Sequence, residues 1–155
     1  MARRVFFSFH YERDVWRANV VRNSWVTKPD REAAGFIDSA EFEALKRQGE
    51  EAIKRWINHQ LEGTSVTVVL IGAETYKRDW VRYEIVKSFD KNNGQLGVYI
   101  NKIQDRNRYT DYKGANPFEY LMLSIDSSGK AKYYEWNGYQ WILFLQQTIM
   151  VFTSM

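Results

Sequence analysis

A single helix carboxylate is the residue of this sequence best placed to do chemistry. Glu84 follows Trp80 by four positions in the segment DWVRYEIVKS, and Val81 and Ile85 have the spacing of one apolar helix face. At about 100° per residue, these side chains share one arc with Glu84, which predicts a half-desolvated carboxylate at the border of the buried face. A carboxylate in a water-poor pocket can stabilise positive charge that develops on a ligand.

A purely structural interpretation of the same segment stays open. A helix glutamate is usually a solvated partner for a lysine, and Lys87 lies three residues after Glu84. Trp80 is explained equally well by simple packing. The basic residues of the segment are expected to form a solvated helix face, from which one could still meet a phosphate. They are Lys77, Arg78 and Arg82.

A buried strand and a short loop position this helix. The segment Val66–Ile71 is almost all β-branched or aliphatic, which is typical of a strand covered on both faces. Open α/β sheets bind ligands outside the carboxyl ends of their strands, and the loop 72–78 is such an end. Thr75 and Tyr76 in this loop are therefore candidates for contact with a ligand, and the Tyr76 ring could stack on it.

The exit of the first strand supplies further candidates. A strand is predicted at Val5–Phe9, and Ser8, Phe9 and His10 face the loop 72–78 if the two strands are neighbours in a parallel sheet. Phe9 could stack on a ring of the ligand. By position alone, Ser8 is more typical of a residue that braces a loop, and His10 of a local hydrogen-bonding residue.

Two helices are predicted between these strands. The segment Asp14–Asn23 has an amphipathic pattern. Asp38 and Glu41 fit a capping box, and apolar residues then recur at steps of three and four until Gly63. This pattern predicts one long helix that leads into the buried strand.

The remaining segments complete an alternation of strands and helices. The segment 24–35 is predicted to be a loop, in which Trp25 and Val26 could form a short strand. The later elements are expected to be a strand Leu96–Ile100, a loop 101–114, a short apolar element Phe118–Leu123, a turn Ser127–Gly129, a last strand Ala131–Trp136 and a closing helix Tyr139–Val151. The alternation predicts one α/β domain over residues 1–155, with a parallel sheet of about five strands and helices on both faces.

Composition narrows the chemistry. The chain has no cysteine, which excludes thiolate catalysis and disulfides, and its two histidines, His10 and His59, are too far apart to suggest a zinc site. The phosphate-binding motifs GxxxxGKS/T and GxGxxG are absent, so a P-loop or a dinucleotide Rossmann site has no support. We therefore expect no metal and no resident cofactor.

Charge and hydropathy argue against two classes of partner. The formal net charge of +3, from 22 basic and 19 acidic residues, is too mild to indicate nucleic-acid binding. The apolar segment 141–152 is shorter than the ~20 residues that span a bilayer, and there is no room for an apolar signal core before the first strand. We expect a cytoplasmic protein without nucleic-acid or membrane partners.

Two segments resemble a known family. RRVFFSFHYERD is similar to the strand-one signature of TIR domains, and LIGAETYKRDWVRYEI resembles the helix that carries the catalytic glutamate of NAD-consuming TIR enzymes. Together they resemble the TIR-like family that includes the TIR subunit of Thoeris anti-phage systems. The resemblance spans residues 4–104, and it is specific because two motifs occur in the right order on the right elements.

The resemblance implies a flavodoxin-like fold and an enzyme that takes NAD as its substrate. Such an enzyme releases nicotinamide and forms a cyclic ADP-ribose isomer that signals to a separate effector protein. Nicotinamide departs as a neutral molecule, so one carboxylate can suffice, and the resemblance makes Glu84 that catalytic group. The expected substrate-binding residues are Ser8, Phe9, His10, Thr75, Tyr76 and Trp80.

Three alternatives stay open at this point. Plain hydrolysis to linear ADP-ribose needs the same carboxylate as cyclisation, and a catalytically silent TIR-like adaptor would act by self-association or by docking on a partner. The closing helix is apolar over most of its surface between Trp141 and Phe152, although one side of a sheet covers only a stripe of about 100°. This surplus predicts a homo-oligomer, or burial of the helix against the tyrosine-rich loop.

Overall fold

The elements follow the predicted alternation through the first two thirds of the chain. The computed structural model describes residues 3–125, 131–135 and 150–153. Their strands are β1 Arg3–Ser8, β2 Arg31–Ala34, β3 Val66–Ile71, β4 Gly94–Tyr99, β5 Leu121–Ile125, β6 Ala131–Glu135 and β7 Met150–Thr153. Their helices are α1 Tyr11–Val26, α2 Ser39–Arg47, α3 Glu50–Leu61 and α4 Asp79–Asp90. None of these helices has the length and the hydrophobicity needed to cross a bilayer.

A five-stranded parallel sheet is the centre of the fold. Its strand order is β2-β1-β3-β4-β7, and every neighbouring pair is parallel. This confirms the expected α/β, flavodoxin-like architecture. The strand order reverses between β1 and β3, where Ser8 is in register with Val69. A crevice is therefore expected beyond the carboxyl ends of these two strands.

Helices cover both faces of the sheet because successive side chains of a strand point to opposite faces. In β1, Phe7 packs on the α1 side and Phe6 packs on the α3 side. In β3, Leu70 packs on the α1 side and Ile71 packs on the α4 side. The two strands that border the crevice are thus buried on both faces, as the sequence predicts for β3.

Helix α4 is fixed to the sheet by buried polar contacts as well as by its apolar face. Thr67 of β3 donates a hydrogen bond from its hydroxyl to the Ser88 hydroxyl at 2.7 Å. The side-chain amide of Gln95 in β4 donates to the carbonyl oxygen of Ile85 at 3.0 Å. These polar groups are buried, so losing a partner would leave them unsatisfied. The position of Glu84 on this helix is therefore well defined.

The predicted long helix between Asp38 and Gly63 is two helices. Asp38 caps α2 as expected, because its Oδ1 accepts a hydrogen bond from the backbone N–H of Glu41 at 2.9 Å. Gly49 then has a φ of 92°, which a helix cannot contain, and it separates α2 from α3. The apolar spacing continues across the break, so periodicity alone gives the wrong length.

Helix and strand replace most of the predicted loop at residues 24–35. The short strand suggested for Trp25 and Val26 is wrong, since both belong to the last turn of α1, where the Trp25 ring lies 6.5 Å from the ring of Phe7. The strand of this region is β2, which pairs with β1 at the edge of the sheet. Its four residues bury only Ala34, so it shows little of the hydrophobic pattern that identifies a strand.

The chain beyond β4 departs furthest from prediction. The segment 101–114 is a loop, as expected, and the predicted strand β6 is present. However, β6 pairs antiparallel with β5 outside the central sheet, and it is not the last strand. Met150 and Val151, predicted to end the closing helix, belong instead to β7, which pairs with β4. The rest of that helix, 139–149, and the turn 127–129 lie outside the described residues.

Candidate active site

Glu84 and Ser8 meet at the carboxyl ends of β1 and β3. Ser8 is the last residue of β1, Glu84 lies in the middle of α4, and the Ser8 hydroxyl donates a hydrogen bond to Oε2 of Glu84. Ser8 is fully buried, and Glu84 is only 9% exposed. The crevice expected from the strand order therefore contains the carboxylate that the sequence singled out.

The surroundings of Glu84 favour the protonated carboxyl group. Burial raises the pKa of Glu84 from 4.5 to about 8, and the hydrogen bond from Ser8 opposes this rise. No basic side chain of the described residues forms an ion pair with Glu84. Lys87, the partner suggested by spacing, instead has its ammonium over the Tyr83 ring, 5.6 Å from the centroid. The group is thus more deeply buried than the half-desolvated position that the sequence predicts.

A cavity with largely aromatic and aliphatic walls lies beside Glu84. It is bounded by β1, the start of α4, and helices α2 and α3. Its aromatic lining consists of Phe7, Phe9, Tyr11, Phe42, Trp56 and Trp80. Among the described residues that line it, Glu84 and Arg78 are the two with a formal charge. An apolar cavity with a few convergent polar groups is the usual form of a small-molecule site.

The cavity is too small to enclose a dinucleotide without widening. The volume of the cavity is about 50 Å³, which is room for a few water molecules. Phe42 and Leu45 of α2 form one side, and α2 has no buried residue, whereas α3 has four. Tyr11 closes against Phe42, with ring centroids 4.3 Å apart. Because α2 is the least buried wall, its outward movement is the change that disturbs the fold least.

Two of the expected substrate contacts, Phe9 and Trp80, line this cavity. Phe9 is buried, and its ring centroid lies 5.1 Å from that of Phe36, so it also contributes to the core. Trp80 stands one helical turn before Glu84 and packs edge-on against Tyr83, with centroids 5.8 Å apart. Each ring therefore combines a place in the cavity wall with packing against its neighbours.

The residues that line the cavity do not include the other four expected contacts, which are Ser8, His10, Thr75 and Tyr76. His10 is the N-cap of α1, where its Nδ1 accepts from the backbone N–H three residues on at 3.4 Å. Burial, with a smaller effect of Arg78, lowers the pKa of His10. Thr75 is fully buried and accepts a hydrogen bond from the backbone N–H of Gly72 at 2.8 Å. His10 and Thr75 thus shape the loops around the site.

The site residues predicted from the sequence omit four aromatic residues of the lining, which are Phe7, Tyr11, Phe42 and Trp56. Tyr11 follows His10, the last of the substrate contacts that were predicted at the exit of the first strand. Phe42 and Trp56 match the apolar face of a predicted helix, and their spacing assigns them to the core. Periodicity identifies a buried face without showing which part of that face borders an opening, so only the fold places these rings beside Glu84.

The side chains around the cavity suit an organic anion better than a metal ion. The described part of the chain contains no group of three or more His, Asp or Glu side chains able to hold a metal. Aromatic faces can stack on planar rings, and the Arg78 guanidinium matches the oxygen atoms of a phosphate. A ligand with planar rings and phosphates fits this combination.

A second buried carboxylate, Asp14, lies on the α1 side of the same sheet edge. Asp14 is fully buried, and its Oδ1 is 3.4 Å from Nη1 of Arg17. Burial raises the pKa of Asp14, and Arg17 opposes the rise. Arg17 also donates hydrogen bonds to the carbonyl oxygens of Ile103 at 2.8 Å and Tyr109 at 3.0 Å. This network joins α1 to the loop 101–114.

The same network reaches the loop that follows β3. The backbone of Gly72 lies so close to Asp14 that a Cβ at position 72 would be 2.1 Å from Oδ2 of that carboxylate. A Cβ at Gly114 would be 2.2 Å from the carbonyl oxygen of Gly72. Only glycine permits such close approaches. The loops 72–78 and 101–114 are therefore held together against α1.

Comparison with known proteins gives two matches. A family model described as "Thoeris protein ThsB, TIR-like domain" matches residues 6–105, which include Ser8 and Glu84. A curated protein of Bacillus cereus (strain MSX-D12), with the printed name "Putative cyclic ADP-D-ribose synthase ThsB1", is 50% identical over 143 residues. That alignment covers 91% of this chain and 74% of the relative.

Proposed function

We propose, because this chain belongs to the TIR-like domain family of the Thoeris protein ThsB, that it cleaves NAD and closes the remaining ADP-ribose into a cyclic isomer. The observation that carries the proposal is the state of Glu84. It is a buried carboxyl group, held by Ser8 and without a basic ion-pair partner among the described residues, in the wall of an aromatic cavity. The printed name of the 50% identical relative supports the class of product.

The chemistry requires little from the protein beyond one negative charge and a dry pocket. When the bond between nicotinamide and ribose breaks, nicotinamide leaves as a neutral molecule with the bonding electron pair. The ribose carbon becomes an oxocarbenium-like centre, which carries positive charge in the transition state. An ionised Glu84 beside that carbon stabilises this charge, and the apolar surroundings strengthen the attraction.

The substrate itself supplies the change in protonation that Glu84 needs. Burial holds the pKa of Glu84 at about 8, so the group is mostly protonated at neutral pH. The nicotinamide ring of NAD carries a positive charge, and a nearby positive charge favours the ionised carboxylate. Binding of NAD therefore activates the carboxylate when the scissile bond is in place.

Cyclisation completes the proposed reaction. A nucleophile from the adenosine part of the substrate attacks the same ribose carbon in place of water, and a proton is released. The carboxylate of Glu84 has a suitable pKa to accept this proton. Aromatic walls that exclude water and hold the dinucleotide folded, such as Phe9 and Trp80, favour the internal attack over hydrolysis.

The proposal is tested by mixing purified protein with NAD and measuring released nicotinamide by chromatography and the second product by mass. We expect equal amounts of nicotinamide and of a product one water lighter than linear ADP-ribose. If linear ADP-ribose is the sole product, the protein cleaves NAD but does not form a cyclic product. If NAD stays intact with a folded protein over a range of protein concentrations, the protein is not an NAD-cleaving enzyme, and the adaptor hypothesis is favoured.

Three further parts of the proposal concern the setting of the reaction. NAD is the substrate and no other cofactor is needed, because the neutral leaving group requires neither a metal nor an acid; turnover should therefore resist a metal chelator. The product signals to a separate effector, which the family resemblance supports. The protein works in the cytoplasm and self-associates, and light scattering with and without NAD would test the assembly.

A further inference from the structure

The proposed reaction uses one of the two charged groups in the cavity wall and leaves the other, Arg78, without a role. Arg78 is the N-cap residue of α4, and its side chain is 36% exposed, so it stands at the mouth of the cavity. The walls beside it include the rings of Tyr11, Phe42 and Trp80. A guanidinium at the entrance of an otherwise apolar cavity attracts an anionic part of the ligand.

The guanidinium of Arg78 is only weakly held by other side chains of the protein. Its Nη2 lies 3.7 Å from Oε2 of Glu12, which is beyond hydrogen-bonding distance. Glu12 has a closer partner in Lys46, whose Nζ is 2.8 Å from Oε1. Within the described part of the chain, no side-chain hydrogen bond is found for Arg78. Its N–H donors are therefore available to an incoming ligand, and Glu12 is the group that competes for them.

The position of Arg78 along α4 matches the order of groups in a dinucleotide. Arg78 precedes Glu84 by six residues, which places the two about 9 Å apart along the helix axis at 1.5 Å per residue. In NAD, the diphosphate is joined to the nicotinamide ribose through the C5′ carbon. A ribose at Glu84 would therefore direct its diphosphate towards the start of the helix.

We propose that Arg78 binds the diphosphate of the dinucleotide, taking the place of its contact with Glu12. This inference rests on the proposed function, because it assumes that the ribose is bound at Glu84. The planar fork of an arginine donates two parallel hydrogen bonds to phosphate oxygens, which fixes the ligand more firmly than a point charge does. Arg78 is thus a substrate-binding residue, and Glu12 lowers the affinity for the ligand because it competes for the Arg78 guanidinium.

Lys77 offers a matched control for Arg78. It is the adjacent basic residue, 52% exposed, and its Nζ pairs with Oε1 of Glu74 at 3.1 Å. Lys77 does not appear among the residues that line the cavity. Replacing either residue by glutamine removes the same charge from almost the same place. A difference between the two variants therefore reports on contact with the ligand rather than on net charge.

The first test is the binding of ADP-ribose, measured by calorimetry, because it does not depend on turnover. For Arg78→Gln we expect affinity to fall by about 10- to 100-fold, the usual cost of a lost hydrogen bond to a charged group. For Lys77→Gln we expect less than about a twofold change, as for a solvated surface charge. Equal affinities of Arg78→Gln and the parent, or failure of the parent to bind ADP-ribose, would overturn the inference. Binding without cleavage of NAD would instead contradict only the proposed function.

A second test reverses the sign of the effect. Glu12→Gln removes the competing carboxylate, so ADP-ribose should bind up to about fivefold more tightly, given the small energy of exposed ion pairs. In steady-state assays, Arg78→Gln should raise KM for NAD with little change in kcat, since the contact is equal in ground and transition states. A fall in kcat with unchanged KM, or weaker binding by Glu12→Gln, would contradict the assignment. Thermal melting of each variant verifies that it is folded.

Discussion

Glu84 and Asp14 are two buried carboxyl groups at the carboxyl end of the same sheet, and they differ in their charged neighbours and in their access to the cavity. Asp14 lies beside the Arg17 guanidinium and under the backbone of Gly72. Glu84 has one hydrogen bond, from the neutral Ser8, and it borders a cavity. Both carboxyl groups have a pKa raised by burial, but only that of Asp14 is opposed by a neighbouring cation.

The difference separates a carboxylate that holds the fold together from one that is available to a ligand. The charge of Asp14 is balanced within the protein, and Arg17 passes the contact on to the loop 101–114. The charge of Glu84 has no such balance, so beyond the hydrogen bond from Ser8 its ionised form needs a positive group in the cavity. Burial alone does not distinguish the two carboxyl groups; the lack of a neighbouring cation and the position in the cavity wall make Glu84 the candidate for catalysis.

The largest effect is expected from Glu84→Gln, which keeps the volume and removes the charge. Turnover of NAD should fall by about 1,000-fold or more, since the charge stabilises the transition state directly. The melting temperature should stay the same or rise, because a buried ionisable group is lost. Nicotinamide release and thermal melting are to be measured on the same preparation. A folded variant with the parent's rate would show that Glu84 is not the catalytic group.

The second-largest effect is expected in the pH dependence of the unfolding free energy, through the raised pKa of Glu84. Its pKa is about 8 in the folded protein against about 4.5 when unfolded, so the folded state holds the proton more tightly. The stabilisation is complete below pH 4.5 and is lost as the pH rises towards 8. From pH 5 to pH 8 the parent should lose about 3 to 4 kcal/mol of unfolding free energy relative to Glu84→Gln. Urea unfolding of both proteins at the two pH values measures this change. If the difference in unfolding free energy between the parent and Glu84→Gln is the same at pH 5 and pH 8, the pKa of Glu84 is not raised.

Asp14→Ala should reverse the pattern seen for Glu84. Removing Asp14 leaves the buried Arg17 guanidinium with only the more distant carboxylate of Asp111, 3.9 Å away, and we expect a loss of about 2 to 3 kcal/mol of unfolding free energy. Turnover per folded molecule should stay near that of the parent, because Asp14 does not line the cavity. Glu51→Ala is the control, since Glu51 forms an exposed pair with Lys54. Its cost should not exceed about 0.5 kcal/mol. If Asp14→Ala and Glu51→Ala cost the same unfolding free energy, Asp14 would not be the structural carboxylate that the comparison with Glu84 assumes.

The smallest effect is expected from Ser8→Ala, which removes the one hydrogen bond to the Glu84 carboxyl group. The Ser8 hydroxyl favours the ionised form of Glu84, so its loss, worth about 1 kcal/mol, should raise the pKa of Glu84 further. The parent's kcat/KM should rise with pH through an inflection near 8, and the variant's inflection should lie higher. At pH 7 the variant should be about fivefold slower and should recover at higher pH.

Ser88→Ala provides the control for that experiment. Ser88 is a fully buried residue of the same helix, and its hydroxyl accepts a hydrogen bond from Thr67, whereas the hydrogen bond to the Glu84 carboxyl group comes from Ser8. Its loss should lower stability to a similar degree without moving the pH profile. A shift of the profile in both variants would mean that loosening of α4, and not the hydrogen bond to Glu84, is responsible.

Local pattern was sufficient where one segment carries its own signal. The apolar run of β3, the helical spacing around Val81 and Ile85, and the capping residue Asp38 each identify an element before any fold is known. The same signals place Ser8 and Glu84 at strand and helix positions that converge at one sheet edge. Convergence follows because the carboxyl ends of neighbouring parallel strands lie together.

Local pattern failed where a pairing partner decides the structure. Strand β2 is short and at the sheet edge, and Met150 and Val151 become a strand because β4 provides hydrogen-bond partners. Gly49 ends a helix through its positive φ although the apolar spacing continues. In each case the interaction that decides the structure is not part of the local hydrophobic pattern. A short segment of sequence therefore cannot predict it.

Residue patterns along the chain were therefore enough to predict the class of fold, the candidate carboxylate and the elements that carry it. The folded protein was needed to show that Glu84 has no cation beside it, that Asp14 has one, and that Tyr11 and Phe42 close the cavity. The two kinds of information differ in the distance along the chain over which the deciding interactions act. Helix and strand preferences arise from neighbours a few residues apart, whereas the pKa of a carboxyl group depends on burial and charge contributed by segments that meet only after folding.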